Sequence, residues 1–281
     1  VLPAPRQQNA VRTFPEIRTV TPDDLLRHLD GATPWPDALR GLTDMAAAYA
    51  LALAVRERRL ARGQRPAGYK IGFTNRTIWD RYAVHAPIWG CVWDTTLVPA
   101  GAATVALAGL CQPRLEPEIV FGLAATPPAG ATLDQLFDCI DWVAPGFEIV
   151  QSHAPGWKFS AAETVADGGL HGRLLIGPRR PLRALGDDAA AVEARLAAAH
   201  VRLQRGATMV EEGLGANVLD GPLHALAHFI HEQQRCPGAP RAGAGDVVTT
   251  GTWTDAWPLA PGEHWRAVFD APLGEVEIRL G

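Results

Sequence analysis

The stretch Pro113-Arg-Leu-Glu116-Pro-Glu118-Ile-Val-Phe-Gly122 decides how this chain is read. Side chains alternate faces along an extended strand, so Glu116 and Glu118 point the same way. Leu115, Ile119, Val120 and Phe121 surround them, which predicts a strand in or beside a core rather than a solvated edge. A third acid, Glu148, ends the next apolar stretch in Pro145-Gly-Phe-Glu148-Ile-Val150. Buried like charges repel, and they titrate upward or disrupt the site unless something positive neutralises them. Three carboxylates on neighbouring strands make an oxygen-rich cradle suited to a hard divalent cation, Mg²⁺ or Mn²⁺.

Other segments gain meaning beside that cradle. Tyr69-Lys70-Ile71-Gly72-Phe73 sets one lysine in an apolar run. Such a lysine either snorkels to the surface or pairs with a carboxylate and moves protons. Asp167 precedes Gly168 and Gly169, two glycines that let backbone approach a ligand or simply break a helix. Trp79, Trp89 and Trp93 fall close together; they fill a core or narrow a pocket around a flat conjugated substrate. Asp246 reads as a turn former. His224, His228 and His231 share a helix without forming a zinc pattern, and no serine elbow, P-loop or dinucleotide fingerprint is present.

Composition narrows the classes further. With 30 acids against 26 bases in 281 residues, the slight negative charge gives no reason to expect a nucleic-acid partner, and the arginines at 56, 58, 59 and 62 read as the solvated end of a helix. No run of about 20 apolar residues suggests a membrane span. The four cysteines are dispersed, with no Cys-x-x-Cys pair, and predict reduced thiols in a cytoplasmic protein rather than a disulfide frame. No basic-then-apolar leader is visible, although a chain opening on Val1 leaves an upstream segment open.

Along the chain, residues 1–20 are expected to be loosely ordered. Residues 21–67 form a helical N-terminal part: Thr21 caps a first helix with Pro22 at its first position, and a second spans Leu42 to Arg62. Residues 68–281 form a β-rich catalytic body in which short apolar runs, including Leu97-Val98, alternate with Gly/Pro punctuation. Asp187–Ala199 reads as helix, Val201–Gln204 as strand, and a helix starting at Asp220-Gly-Pro222 carries Leu223, Leu226, Ala227 and Ile230 at helical spacing. The fold class is α+β.

Taken in order, Gly68-Tyr-Lys-Ile-Gly-Phe-Thr74, the Glu-Pro-Glu strand, Phe147-Glu-Ile-Val150, Thr164-Val-Ala-Asp167, Val218–Leu226 and Ala244–Gly251 resemble the 2-keto-4-pentenoate hydratase and 4-oxalocrotonate decarboxylase family, within the wider fumarylacetoacetate hydrolase superfamily. The matches cover roughly residues 40 to 280. The resemblance implies a fumarylacetoacetase-like mixed β-sandwich roll, a homo-oligomer, a small-molecule 2-oxo acid substrate, and Mg²⁺ or Mn²⁺ held by Glu116, Glu118 and Glu148. It also implies Lys70 as the acid/base group, with Asp167 as a second catalytic residue. The carboxylate and C2 oxygen of a 2-oxo acid would chelate the ion, which stabilises charge arriving at that oxygen.

Two departures bear on the reaction. Pro87-Ile88-Trp89-Gly90 carries no acid, where family hydratases have Asp-aromatic-Gly. Trp157-Lys-Phe159 also looks like the decarboxylase segment, so Ile88, Trp89 and Trp157 are expected to line the substrate pocket. An apolar Ile88 cannot position water, and a dry pocket favours loss of CO₂. Gly168 replaces the asparagine usual in the family. Decarboxylation of a 4-oxalocrotonate-like 2-oxo-enedioate is therefore the leading expectation and hydration of a 2-hydroxy-dienoate the alternative. An acylpyruvate-type C–C hydrolase would require His85, Glu163 or His153 to activate water. A non-enzymatic homologue is disfavoured by the intact Lys70 and glutamates.

Overall fold

A computed structural model describes residues 20–99, 101 and 104–281. Except for Val20, the segment expected to be loosely ordered over 1–20 lies outside the described residues. Seven α-helices are present among the described residues: α1 (Pro22–Gly31), α2 (Met45–Ala61), α3 (Trp79–Tyr82), α4 (Leu133–Cys139), α5 (Ala161–Ala166), α6 (Ala189–Ala198) and α7 (Pro222–Arg235). The first six strands are β1 (Pro66–Gly72), β2 (Ile88–Trp93), β3 (Arg114–Leu123), β4 (Ile140–Val150), β5 (His171–Ile176) and β6 (Arg180–Pro181). The rest are β7 (His200–Arg205), β8 (Thr208–Leu214), β9 (Val247–Thr249), β10 (Trp257–Pro258), β11 (His264–Phe269) and β12 (Gly274–Arg279).

Eight strands form one sheet in the order β2-β1-β9-β3-β4-β5, with β10 joined to β3 and β6 to β4; β12-β11-β7-β8 form a second sheet. Only the β1–β9 pairing is parallel. It depends on a glycine: Gly68 has φ +153°, and a Cβ there would stand 1.9 Å from the carbonyl oxygen of Val247. Central β3 and β4 each contain a proline, which a central strand normally rejects. The carbonyl of Pro117 accepts from Trp253 N–H and that of Pro145 from Gly177 N–H. Each proline nitrogen therefore faces away from the β3–β4 ladder. Pro117 sits in the gap between β10, which pairs at 114–115, and β9, which pairs at 120–122. No β3–β4 ladder hydrogen bond is lost, and the Glu-Pro-Glu strand is accommodated in the middle of the sheet.

The two faces of β3 separate core from site. Leu115, Ile119 and Phe121 join Phe147 and Ile149 of β4, Trp265 of β11 and Phe229 of α7 in the main core. Each such burial contributes about 1.5–3 kcal/mol. On the opposite face, Val120 packs with Val92, Leu174 and Val247 in a small cluster, beside Glu118 and Glu116.

The caps follow the sequence. Thr21 and Asp24 form a capping box at α1, and Asp44 caps α2 through Ala47 N–H. Helix α7 starts at Pro222 as expected; it buries Phe229 completely, whereas Ala227 is half-buried. Leu97-Val98 is not a strand: a 3-10 turn over Asp94–Thr96 takes its place, and Leu97 forms an isolated bridge to Leu174. The N-terminal helices do not stand apart, since Ala48 of α2 packs with Ala162 and Val165 of α5 and with Ile88. The segment before α2 is pinned to α5 by Glu163, which accepts from Arg40 Nε at 2.9 Å and Gly41 N–H at 2.8 Å. Among the described residues no helix is long and apolar enough to cross a membrane.

Burial pushes the Glu163 carboxyl up, but hydrogen bonds from Arg40, Ser160 and Gly41 outweigh it and hold its pKa below the ordinary carboxylate value. A depressed folded-state pKa stabilises the fold above the unfolded-state pKa, and that contribution disappears as pH falls through the folded value. Glu163→Gln is accordingly expected to cost about 1–3 kcal/mol at neutral pH, with the difference from wild type closing on acidification. Urea denaturation across a pH series checks this; a gap unchanged into the acid range would refute the assignment.

Candidate metal centre and cleft

Register brings the three glutamates together. Glu116 of β3 lies directly opposite Glu148 of β4, and Glu118 is one pleat along on the same face. Each offers a carboxylate oxygen, and these oxygens lie within 4.8 Å of one another. Glu118 and Glu148 are fully buried and Glu116 is half-buried. Lys70 reaches the group from β1, with its Nζ 3.1 Å from Glu148 Oε2 and its side chain buried.

The charge balance is incomplete without a further cation. Burial pulls the Lys70 ammonium down, but Glu148, Glu116 and Glu118 outweigh that effect and hold it above the ordinary lysine value. Burial raises Glu148 as well, and Lys70 and His171 more than reverse it. One ammonium does not satisfy three carboxylates. Burial drives Glu116 up to about 7 against the pull of Lys70, and it drives Glu118 well above the usual range with Glu148 and Glu116 adding to the rise. Glu118 Oε2 accepts from Gly251 N–H at 2.8 Å. Its Oε1 is buried with no hydrogen-bond partner. An orphaned buried carboxylate oxygen facing two more carboxylates is the donor set of a hard divalent cation. The residues fit Mg²⁺ or Mn²⁺.

Gly251 is required where it stands: its φ is +101°, and a Cβ would lie 2.0 Å from Thr74 Oγ1. His171, unassigned by the sequence reading, lies behind the cradle. Its Nδ1 is 2.7 Å from Glu148 Oε1 and its Nε2 is 2.7 Å from Thr96 Oγ1. Burial lowers its pKa despite the bond to Glu148.

A cleft of about 170 Å³ opens over Lys70 and Glu116, walled by Ile88, Trp157, Phe159 and Tyr82. Trp157 is fixed by donation from Nε1 to the Gln112 carbonyl and by the Arg114 guanidinium stacked 4.2 Å from its ring centre. The sequence-expected residues divide here. Lys70, Glu116, Ile88 and Trp157 meet in the cleft, with Glu118 and Glu148 beneath it. Trp89 does not: alternation along β2 turns it to the other face, where it stacks on Tyr49 at 5.0 Å and lies 6.3 Å from Phe229. It fills core. Asp167 is not beside Lys70 either; its carboxylate is held by His153, through Nδ1 at 2.6 Å and N–H at 2.9 Å. It borders a separate cavity with Arg56, Arg59 and Cys91. Of the three groups considered for activating water, His153 is taken by Asp167, Glu163 by Arg40, and His85 lines a different hollow. The cysteines are all free.

No family model matches the chain. It is 33% identical over 235 residues to the 2-hydroxyhexa-2,4-dienoate hydratase of Comamonas testosteroni, covering 83% of this chain and 85% of the relative. It is 30% identical over 260 residues to the 4-oxalocrotonate decarboxylase of Pseudomonas sp. strain CF600, covering 88% and 93% respectively. The solved structure of 4-oxalocrotonate decarboxylase from Pseudomonas putida G7, complexed with magnesium and adipate, superposes with a TM-score of 0.83 at 26% identity, over 94% of this chain and 100% of that one.

Glu118→Gln is expected to weaken Mn²⁺ binding by more than the roughly 10–100-fold seen when an outer partner of a metal ligand is removed, with the circular dichroism spectrum unchanged. Calorimetric titration measures it, and wild-type affinity would sink the cradle as a metal site. Lys70→Met is expected to bind the ion at least as tightly as wild type, because a competing cation has gone; the same titration checks this.

Proposed function

Because the chain belongs to the 2-keto-4-pentenoate hydratase and 4-oxalocrotonate decarboxylase family, we propose that it is a divalent-metal-dependent lyase that decarboxylates a 4-oxalocrotonate-like 2-oxo-enedioate. The observation that carries this reading is the composition of the cleft. Among the described residues lining it, Glu116 is the sole carboxylate and no imidazole is present, while Ile88 puts an apolar side chain in the wall. Glu116, Glu118 and Glu148 would hold Mg²⁺ or Mn²⁺. When bound, the ion supplies Lewis-acid charge to the 2-oxo acid head of the substrate.

The residues of the chain supply the rest. Lys70, kept protonated by its carboxylate neighbours, is placed to deliver a proton as the C–C bond to the distal carboxylate breaks and its electron pair enters the conjugated system. Ile88, Trp157 and Phe159 keep water from the departing carboxylate, whose charged form loses its hydration as it leaves. The same apolar wall suits the uncharged tail of a 2-hydroxy-dienoate, and this favours a hydratase as the second reading. Among the described residues lining the cleft, no imidazole or second carboxylate supports the C–C hydrolase. The reading carries with it the homo-oligomer that the family resemblance implies and the cytoplasmic location expected from the dispersed cysteines.

NMR product analysis with Mg²⁺ tests the assignment. Release of CO₂ from 2-oxohex-3-enedioate, abolished by chelator, is the expected result. Formation of 4-hydroxy-2-oxopentanoate from 2-hydroxypenta-2,4-dienoate, without decarboxylation, would replace it with the hydratase. Lys70→Met is expected to lower turnover by about 10²–10⁴-fold; near-normal turnover would assign the proton transfer to another group.

A further inference from the structure

His171 makes a short contact at each ring nitrogen. Glu148 Oε1, 2.7 Å from Nδ1, accepts, so Nδ1 carries a proton. Nε2, on the far side of the ring, meets Thr96 Oγ1 at 2.7 Å.

Thr96 anchors that edge of the ring. Its Oγ1 accepts the Trp93 N–H at 3.0 Å, donates to the Trp93 carbonyl at 2.9 Å and lies 2.7 Å from His171 Nε2. Thr96 lies in the turn that follows β2, and His171 is the first residue of β5, paired across from Val150 of β4. Glu148 is two residues before Val150 on the same face, and the ring reaches it from behind the cradle.

We propose that His171 is a positioning residue: anchored at Nε2 by Thr96 and hydrogen-bonded through Nδ1 to Glu148 Oε1, it fixes the rotation of the Glu148 carboxylate so that Oε2 is turned toward Lys70. Without that hydrogen bond the carboxylate is free to turn about its terminal torsion, which is broad and two-fold for Glu. An outer hydrogen bond of this kind orients a ligand and sets its basicity. The proposal rests on Glu148 being a metal ligand.

The test is Mn²⁺ titration of the purified full-length chain, following free Mn²⁺ by electron paramagnetic resonance. His171→Leu is expected to weaken binding about 10–100-fold. His171→Asn, whose amide returns an N–H near the Nδ1 position, is expected to stay close to wild type, whereas His171→Gln, which carries its amide at the Nε2 position, is not. Wild-type affinity in His171→Leu overturns the proposal. Equal weakening in the Leu and Asn variants overturns it too, because it assigns His171 to packing alone. Should the Leu variant fail to fold, the Asn and Gln variants decide between them, and equal affinities overturn the proposal. If wild type binds no Mn²⁺, the metal reading fails, and this inference with it; binding by wild type that is unaffected in His171→Leu leaves the metal reading standing alone.

Discussion

The contact between Lys70 Nζ and Glu148 Oε2 inside the sheet is the interaction on which the rest of the site depends. Taking an ion out of water costs several kcal/mol, which a partner repays only with good geometry and further hydrogen bonds. Here two carboxylates lie fully buried and a third half-buried around one ammonium. The surrounding structure reads as successive answers to that cost. Gly251 gives a backbone N–H to Glu118, and His171 gives a ring N–H to Glu148. The oxygen of Glu118 left over faces two more carboxylates and could hold a cation. The same burial that disfavours three charged carboxylates makes the group suited to a small hard ion.

Much of this was legible in the sequence because it depends on local rules. Two acids one residue apart must share a face of a strand, whatever the tertiary structure. Helix starts at Thr21 and Pro222 follow from cap chemistry within one turn. The overall fold followed from the order of several short motifs, and similarity to the decarboxylase structure over nearly the whole chain agrees with it. What the sequence did not disclose involves partners distant along the chain. His171 and Glu148 are 23 residues apart, and their contact exists only through the β4–β5 register. Asp167 is drawn away from Lys70 by His153, a pairing across a loop that no spacing rule anticipates. Trp89 shows a different failure. Its neighbour Ile88 lines the cleft, and the same alternation that places Glu116 and Glu118 together sends Trp89 to the opposite face.

The relatives include both a hydratase and a decarboxylase at nearly equal identity, so overall similarity does not distinguish the two reactions. The side chains that line the cleft over Lys70 and Glu116 are the part of the structure that bears on the choice between them.

Ile88 is held from behind by Ala48, Ala162 and Val165, residues of α2 and α5 that belong to neither β3 nor β4. The glutamate cradle and the Ile88 wall are thus anchored in separate packing clusters. The register that aligns the three carboxylates belongs to the β3–β4 ladder, so the helical layer can be repacked around Ile88 without displacing that register.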